Sequence, residues 1–106
     1  MEFPYEAALA RAKKLDEFFK TCGGKTIGPL HGLPFSVKDQ CRVIGTDTTC
    51  GFVANLGKKD TKDSLLVEIL QNAGAVVFVK TNLSMGCMWG ETMNKLGTKF
   101  SSEYQC

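Results

Sequence analysis

One stretch, Gly28-Pro29-Leu30-His31-Gly32-Leu33-Pro34-Phe35-Ser36-Val37-Lys38-Asp39, constrains this chain more than any other, because it aims a lysine out of an apolar strand. Pro29 and Gly32 set a turn, and residues 33–38 have the β-branched and aromatic content of a buried strand. The apolar pattern stops at Lys38-Asp39, which puts a charge at a strand end. In open α/β sheets ligands collect outside the carboxyl ends of strands. A lysine there, half desolvated by Phe35 and Val37, is placed to give up its proton and act as a base. The bland reading is that Lys38, one of 13 basic side chains, snorkels to water from the strand end, and the strand pattern alone favours it.

The elements around this stretch read as α/β. Tyr5, Ala8, Leu9, Ala12, Leu15 and Phe19 fall at helical spacing and Pro4 suits a first turn, so residues 4–20 are expected to form an amphipathic helix ended by Gly23-Gly24. Residues 41–57 are rich in Thr and Gly and read as short extended pieces with turns at Gly45 and Gly51. The alternating charges of Lys58-Lys59-Asp60-Thr61-Lys62-Asp63 read as a solvated loop. Asp63 is expected to cap a helix through Ala73, with Leu65, Leu66, Ile69 and Leu70 on its buried side and Gly74 as its stop. Residues 75–79 are continuously apolar, which marks a strand covered on both faces, and a strand following a helix in this way belongs to a parallel sheet. Lys38 is therefore expected at the C-terminal end of a strand that neighbours residues 75–79.

Composition excludes several function classes. The chain is 43% hydrophobic and 23% charged, and its formal charge of +2 is too small and scattered for a nucleic-acid partner. No apolar run approaches the roughly 20 residues that span a bilayer, and Glu2 and Pro4 stand where a signal peptide would be basic and then apolar. A cytoplasmic location is expected, with no membrane partner. Cys22, Cys41, Cys50, Cys87 and Cys106 make an odd set of five with no Cys-x-x-Cys pair, so reduced thiols are expected, with no disulfide framework and no metal site. No cofactor is implied.

Three other constellations carry less. Cys41 or Cys50 with His31 would make a thiol nucleophile and base, but no third group is positioned, and structural cysteine is the commoner fate. Phe78-Val79-Lys80 has the look of the strand lysine of protein kinases, yet no Gly-x-Gly-x-x-Gly loop precedes it and no catalytic loop follows. Cys87, Met88 and Trp89 form a soft, bulky cluster whose bland reading is core packing.

The wider order of motifs reverses the bland reading of Lys38. Gly-Pro-Leu-His-Gly-Leu-Pro at 28–34 and Val-Lys-Asp-Gln at 37–40 are followed by Thr46-Asp47-Thr48-Thr49-Cys50-Gly51 and Asp63 to Leu70. Ala73 to Asn82 and Met88-Trp89-Gly90-Glu91-Thr92 with Asn94 complete the series. This series resembles the amidase signature family, most closely its fungal acetamidase and general amidase branch, from about residue 4 to residue 97. The resemblance implies a fragment of that family's large mixed sheet flanked by helices. It also implies hydrolysis of carboxylic amides by a Ser-cisSer-Lys triad, in which Lys38 matches the general base. It sets Cys87, Met88 and Trp89 near the acyl-binding wall, as substrate-binding residues. The family's two serines lie in a glycine- and serine-rich segment downstream, and Ser101-Ser102 lacks its flanking glycines.

Residues 1–106 are accordingly expected to form one partial amidase domain, truncated at both ends. Two functional readings stand. In one the chain descends from an amide hydrolase, inactive alone, whose small-molecule amide substrate, short aliphatic amide or aromatic acetamide, is open. In the other it is a non-catalytic remnant or pseudoenzyme that docks or self-associates through unpaired sheet edges.

Overall fold

The computed structural model describes residues 4–88 together with Gly90 and Thr92. Pro4 opens the first helix, α1 (Tyr5–Thr21), as its N-cap, and its carbonyl accepts the Ala8 N–H at 2.9 Å. The expected apolar stripe is only half used: Ala8 and Leu15 are buried against Val76, while Tyr5, Leu9 and Phe19 stay exposed. Gly23 and Gly24 both have positive φ, and the Gly24 N–H donates to the Phe19 carbonyl at 2.9 Å, so the glycine pair does end the helix.

The turn at 28–33 then feeds strand β1 (Pro34–Lys38) and is stitched to the far end of a second helix, α2 (Leu65–Asn72). The Leu30 N–H donates to the Ala73 carbonyl at 3.0 Å and the Gly32 N–H to the Gly74 carbonyl at 2.9 Å. The backbones meet so closely that a Cβ on Gly28 would lie 2.6 Å from the Ala73 oxygen, and one on Gly74 2.7 Å from the His31 Cα. This contact explains the glycines of the turn and of the α2 terminus together.

β1 pairs in parallel with β2 (Val76–Thr81), the two being joined by a crossover that contains α2. Lys38 ends β1 beside Thr81, which is the adjacency expected from the two apolar runs. The register also holds an irregularity absent from that expectation. Phe35 pairs with Val77, but Ser36 pairs with Val79, so Phe78 is an extra residue in β2 and is 42% exposed. A one-residue insertion moves every later side chain to the other face. Val77 and Lys80 therefore share a face with Phe35 and Val37, whereas Ser36 and Lys38 share theirs with Val79 and Thr81.

One core cluster gathers Val37, Val43, Val67 and Val77, with Phe35 and Cys41 packed against it; the other gathers Ala8, Leu15 and Val76. Two expectations for α2 are overturned. Its N-cap is Ser64, because the Asp63 carboxylate instead accepts the Ile44 N–H at 2.8 Å. Its buried residue is Val67, while Leu65, Leu66 and Ile69 are exposed. The apolar residues of α2 span a wide arc opposite Glu68, Gln71 and Asn72, and it is Val67, at one margin of that arc, that meets the sheet. The 58–63 run is also more than a solvated loop. Lys59 forms an antiparallel bridge with Asp47, and Asp60 accepts the Thr48 hydroxyl and lies 3.9 Å from the Arg42 guanidinium.

Candidate active site

The C-terminal ends of β1 and β2 open onto a cavity of about 260 Å³. Lys38, Gln40, Ser84 and Cys87 line it, with Leu83 supplying an apolar wall. Lys38 reaches it because the strand alternation sets its side chain opposite Phe35 and Val37. The expected half-burial on those two residues does not occur, since Lys38 is exposed and its Nζ donates to the Asn82 carbonyl at 3.2 Å.

Asp39, next in sequence, ties the strand end to the loop that follows. Its N–H donates to the Thr81 carbonyl at 2.9 Å, prolonging the pairing by one residue. Its carboxylate accepts the Thr49 hydroxyl at 2.9 Å and the Cys50 N–H at 2.6 Å. The same loop is clamped from β2. Lys80 is only 1% exposed, and its Nζ donates to the Asp47 carbonyl at 2.7 Å and the Thr48 hydroxyl at 3.0 Å. A third tie runs to the 84–87 turn: Gly86 N–H donates to the Cys50 carbonyl at 2.9 Å, and a Cβ on Gly51 would lie 2.6 Å from the Met85 Cα. Gly51, at φ +79°, is thus required both for its conformation and for that approach.

Asp47 is 7% exposed, and its carboxyl is held below the usual carboxylate range by the Gly57 N–H at 2.7 Å and then by the Lys59 ammonium at 3.1 Å. Burial pushes the Cys50 thiol up, and the Asp39 carboxylate and Cys87 push it further, which is the reverse of what a nucleophilic thiolate needs. His31 lies before the N-terminal end of β1, where its Nδ1 accepts the Ile27 N–H at 3.2 Å, and so stands across the strand from Cys41 and Cys50. The thiol–histidine pair is not assembled.

Of the residues expected at the acyl wall, Cys87 lines the cavity, with its Sγ 2.9 Å from Gln40 Oε1. Met88 is 86% exposed and belongs to neither core cluster of the described residues. Trp89 lies outside the described residues. The residue near the site whose placement pattern reading passed over is Lys80, considered only for a kinase-like role. The signal for it was a lysine closing a fully apolar run, where a charge must find partners.

These ties arrange a lysine, a carboxylate network and a pocket at one sheet end. The model of the family described as Amidase matches residues 1–99. The chain belongs to the amidase family. It is 51% identical over 94 residues to an acetamidase of Aspergillus oryzae, an alignment covering 89% of this chain and 17% of that protein. It is 46% identical to an acetamidase of Emericella nidulans, covering 90% and 17%. Among solved structures, a fatty acid amide hydrolase superposes with a TM-score of 0.83 at 31% identity, covering 90% of this chain and 16% of its own. The native peptide amidase of Stenotrophomonas maltophilia gives 0.68 at 38% identity, covering 79% and 16%. The chain thus spans about a sixth of the length of these amidases, as an α/β piece of their fold.

Proposed function

We propose that this amidase-family chain carries the general-base part of a carboxylic amide hydrolase, with Lys38 as the base. The observation that supports the reading most is Lys38 itself. It is a strand-end ammonium that enters the cavity and is held by a backbone carbonyl rather than a carboxylate. An amide resists attack because its nitrogen donates into the carbonyl, so hydrolysis needs an activated nucleophile, a proton for the leaving amine and donors for the oxyanion. In its neutral form Lys38 takes the proton of a serine and later returns one to the amine, as the resemblance to the amidase signature family implies. Cys87 and Gln40 border the bound acyl group. The substrate is a small carboxylic amide, and the reading needs no cofactor.

By this proposal the 106 residues alone turn over no amide, since nucleophile and oxyanion donors belong to the glycine- and serine-rich segment of the family. The test is a chimera in which the matched segment of the Aspergillus oryzae acetamidase is replaced by that of this chain. It is expected to hydrolyse acetamide or phenylacetamide, while Lys38→Ala abolishes turnover. Hydrolysis by the isolated chain that stops on Ser36→Ala would instead establish a local Ser–Lys dyad, because Ser36 shares the face of Lys38. The free thiols Cys22, Cys41, Cys50 and Cys87 favour a reducing compartment, in keeping with a cytosolic site of action. No helix among the described residues is long and apolar enough to cross a membrane.

A second reading, a non-catalytic module that self-associates, draws on the outward face of α2, where Leu65 is 72% and Leu66 and Ile69 are each 55% exposed. Sedimentation of the isolated chain separates the two. A clean monomer removes the second reading, and a concentration-dependent dimer lost on Leu65→Lys supports it.

A further inference from the structure

Lys80 is the largest side chain in the described structure with essentially no exposure, and nothing in the amide-hydrolysis reading uses it. A buried ammonium is costly unless it is hydrogen-bonded and its charge answered. Here both conditions are met, by the 47–50 loop and by Asp60 beyond it. Nζ donates to the Asp47 carbonyl and the Thr48 hydroxyl, and the Thr48 hydroxyl donates onward to the Asp60 carboxylate. The loop's next two residues, Thr49 and Cys50, donate to the carboxylate of Asp39, the neighbour of Lys38. A continuous chain of contacts therefore leads from Lys80, through the 47–50 loop, to the backbone that carries Lys38.

The strand irregularity makes this possible. Were β2 to pair residue for residue without the irregularity at Phe78, Lys80 would stand opposite Lys38 and share its face, away from the loop. With it, Lys80 lies beside Val37 and beneath the loop, while Lys38 points to the cavity on the other face. We infer that Lys80 is a positioning residue for Lys38: it pins the 47–50 loop, and the loop holds Asp39 and thereby the base at the mouth of the cavity. The inference rests on the assignment of Lys38 as base, and it extends that reading to a residue outside the reacting atoms.

Two measurements test it. In the intact 106-residue chain, the amides of Cys50 and Gly57 donate to Asp39 and Asp47 and so report on the loop. Lys80→Met is expected to speed their hydrogen exchange at least about tenfold relative to the amides of β1. Unchanged exchange at both overturns the inference, whatever the chain's activity. Thr48→Val removes one acceptor while leaving the lysine in place, and should produce the same pattern more weakly if Lys80→Met does not fold.

In the acetamidase chimera, Lys80→Met is expected to lower kcat by about 30-fold or more with KM within about threefold. Asp39→Asn should act through the same chain, so the double variant falls no more than about threefold below the worse single one. Multiplicative losses, or a rise in KM matching the fall in kcat, would leave Lys80 as a fold-holding residue only and overturn the positioning role. A chimera inactive with Lys38 and Lys80 both intact refutes the amide-hydrolase reading, while the exchange result still decides whether Lys80 orders the loop.

Discussion

The ends of β1 and β2 each present a lysine, at pairing positions one step apart, and the two meet opposite fates. Lys38 follows an alternating strand and emerges into a cavity, bonded to one carbonyl. Lys80 follows a strand with one residue too many and turns inward, bonded to the Asp47 carbonyl and the Thr48 hydroxyl at 1% exposure. Their chemistry is the same, so the difference comes from register. Under the proposed reading the outward lysine works on substrate, whereas the inward one holds the backbone of the 47–50 loop. Position within the sheet, rather than residue type, decides which lysine meets the cavity and which is buried.

The largest effect that can break this contrast is on catalysis. Lys38→Ala in the acetamidase chimera should lower kcat by roughly 10²–10⁴-fold, the usual contribution of a positioned general base. The same change in the isolated chain should move its stability by no more than about 0.5 kcal/mol, because the side chain is exposed and bonded to one carbonyl. Lys80→Met should do the reverse to stability, costing roughly 1–3 kcal/mol by stranding the Asp47 and Thr48 oxygens. Urea melts of both variants read the comparison directly. Equal stability losses would show that the two lysines share one structural role.

Next in size is Gly51→Ala, which asks whether the loop joining the two strand ends is as tightly specified as Lys80's burial implies. A left-handed φ costs an alanine about 1–2 kcal/mol, and relieving a 2.6 Å approach to the Met85 Cα adds roughly 1–3 kcal/mol. Gly45→Ala has the same φ of +79° and open space around its Cβ, so it should carry the conformational part alone. A difference in denaturation midpoint between the two variants isolates the contact between the 46–51 loop and the 84–87 turn. Identical midpoints would mean that the turn yields freely.

The asymmetry of the two ends also explains what could be read from sequence. Lys38 was legible because the apolar pattern stops at it, and because Pro29, Gly32 and the helix-ending Gly23-Gly24 are local signals that tertiary contacts did not override. The parallel neighbour was legible because residues 75–79 are apolar without alternation. That same lack of alternation concealed the bulge: inserting Phe78 among valines leaves no mark on an apolar run, yet it decides which way Lys80 points. The cap of α2 was misplaced for a similar reason, since Asp63 and Ser64 are both good caps and only the Ile44 N–H, nineteen residues upstream, claims the aspartate. Patterns that depend on where a run ends were readable. Those that depend on what lies across the sheet were not.

The smallest expected effect is a pH dependence that sharpens the account of the Lys80 side. Asp47 contributes its carbonyl to Lys80 and its carboxylate to Gly57 and Lys59, so the loop's two clamps meet in one residue. Its carboxyl is lowered from the ordinary 3.8, first by the Gly57 N–H and then by Lys59. A carboxylate with a depressed folded-state value adds stability that is fully present above the unfolded value and is lost as pH falls through the folded one. The chain should therefore lose stability on acidification below about pH 4, the carboxylate range of an unfolded chain, with the loss continuing below 3.8. Asp47→Asn should flatten that part of the profile while keeping the carbonyl that Lys80 uses. Lys59→Met should flatten it less, because the Gly57 bond is the larger cause and remains. Midpoints measured between pH 2 and 6 at fixed salt decide the order. If Lys59→Met flattens the profile as much as Asp47→Asn does, the Lys59 charge rather than the Gly57 N–H holds the Asp47 carboxylate, and the backbone bond is not the larger clamp on this loop.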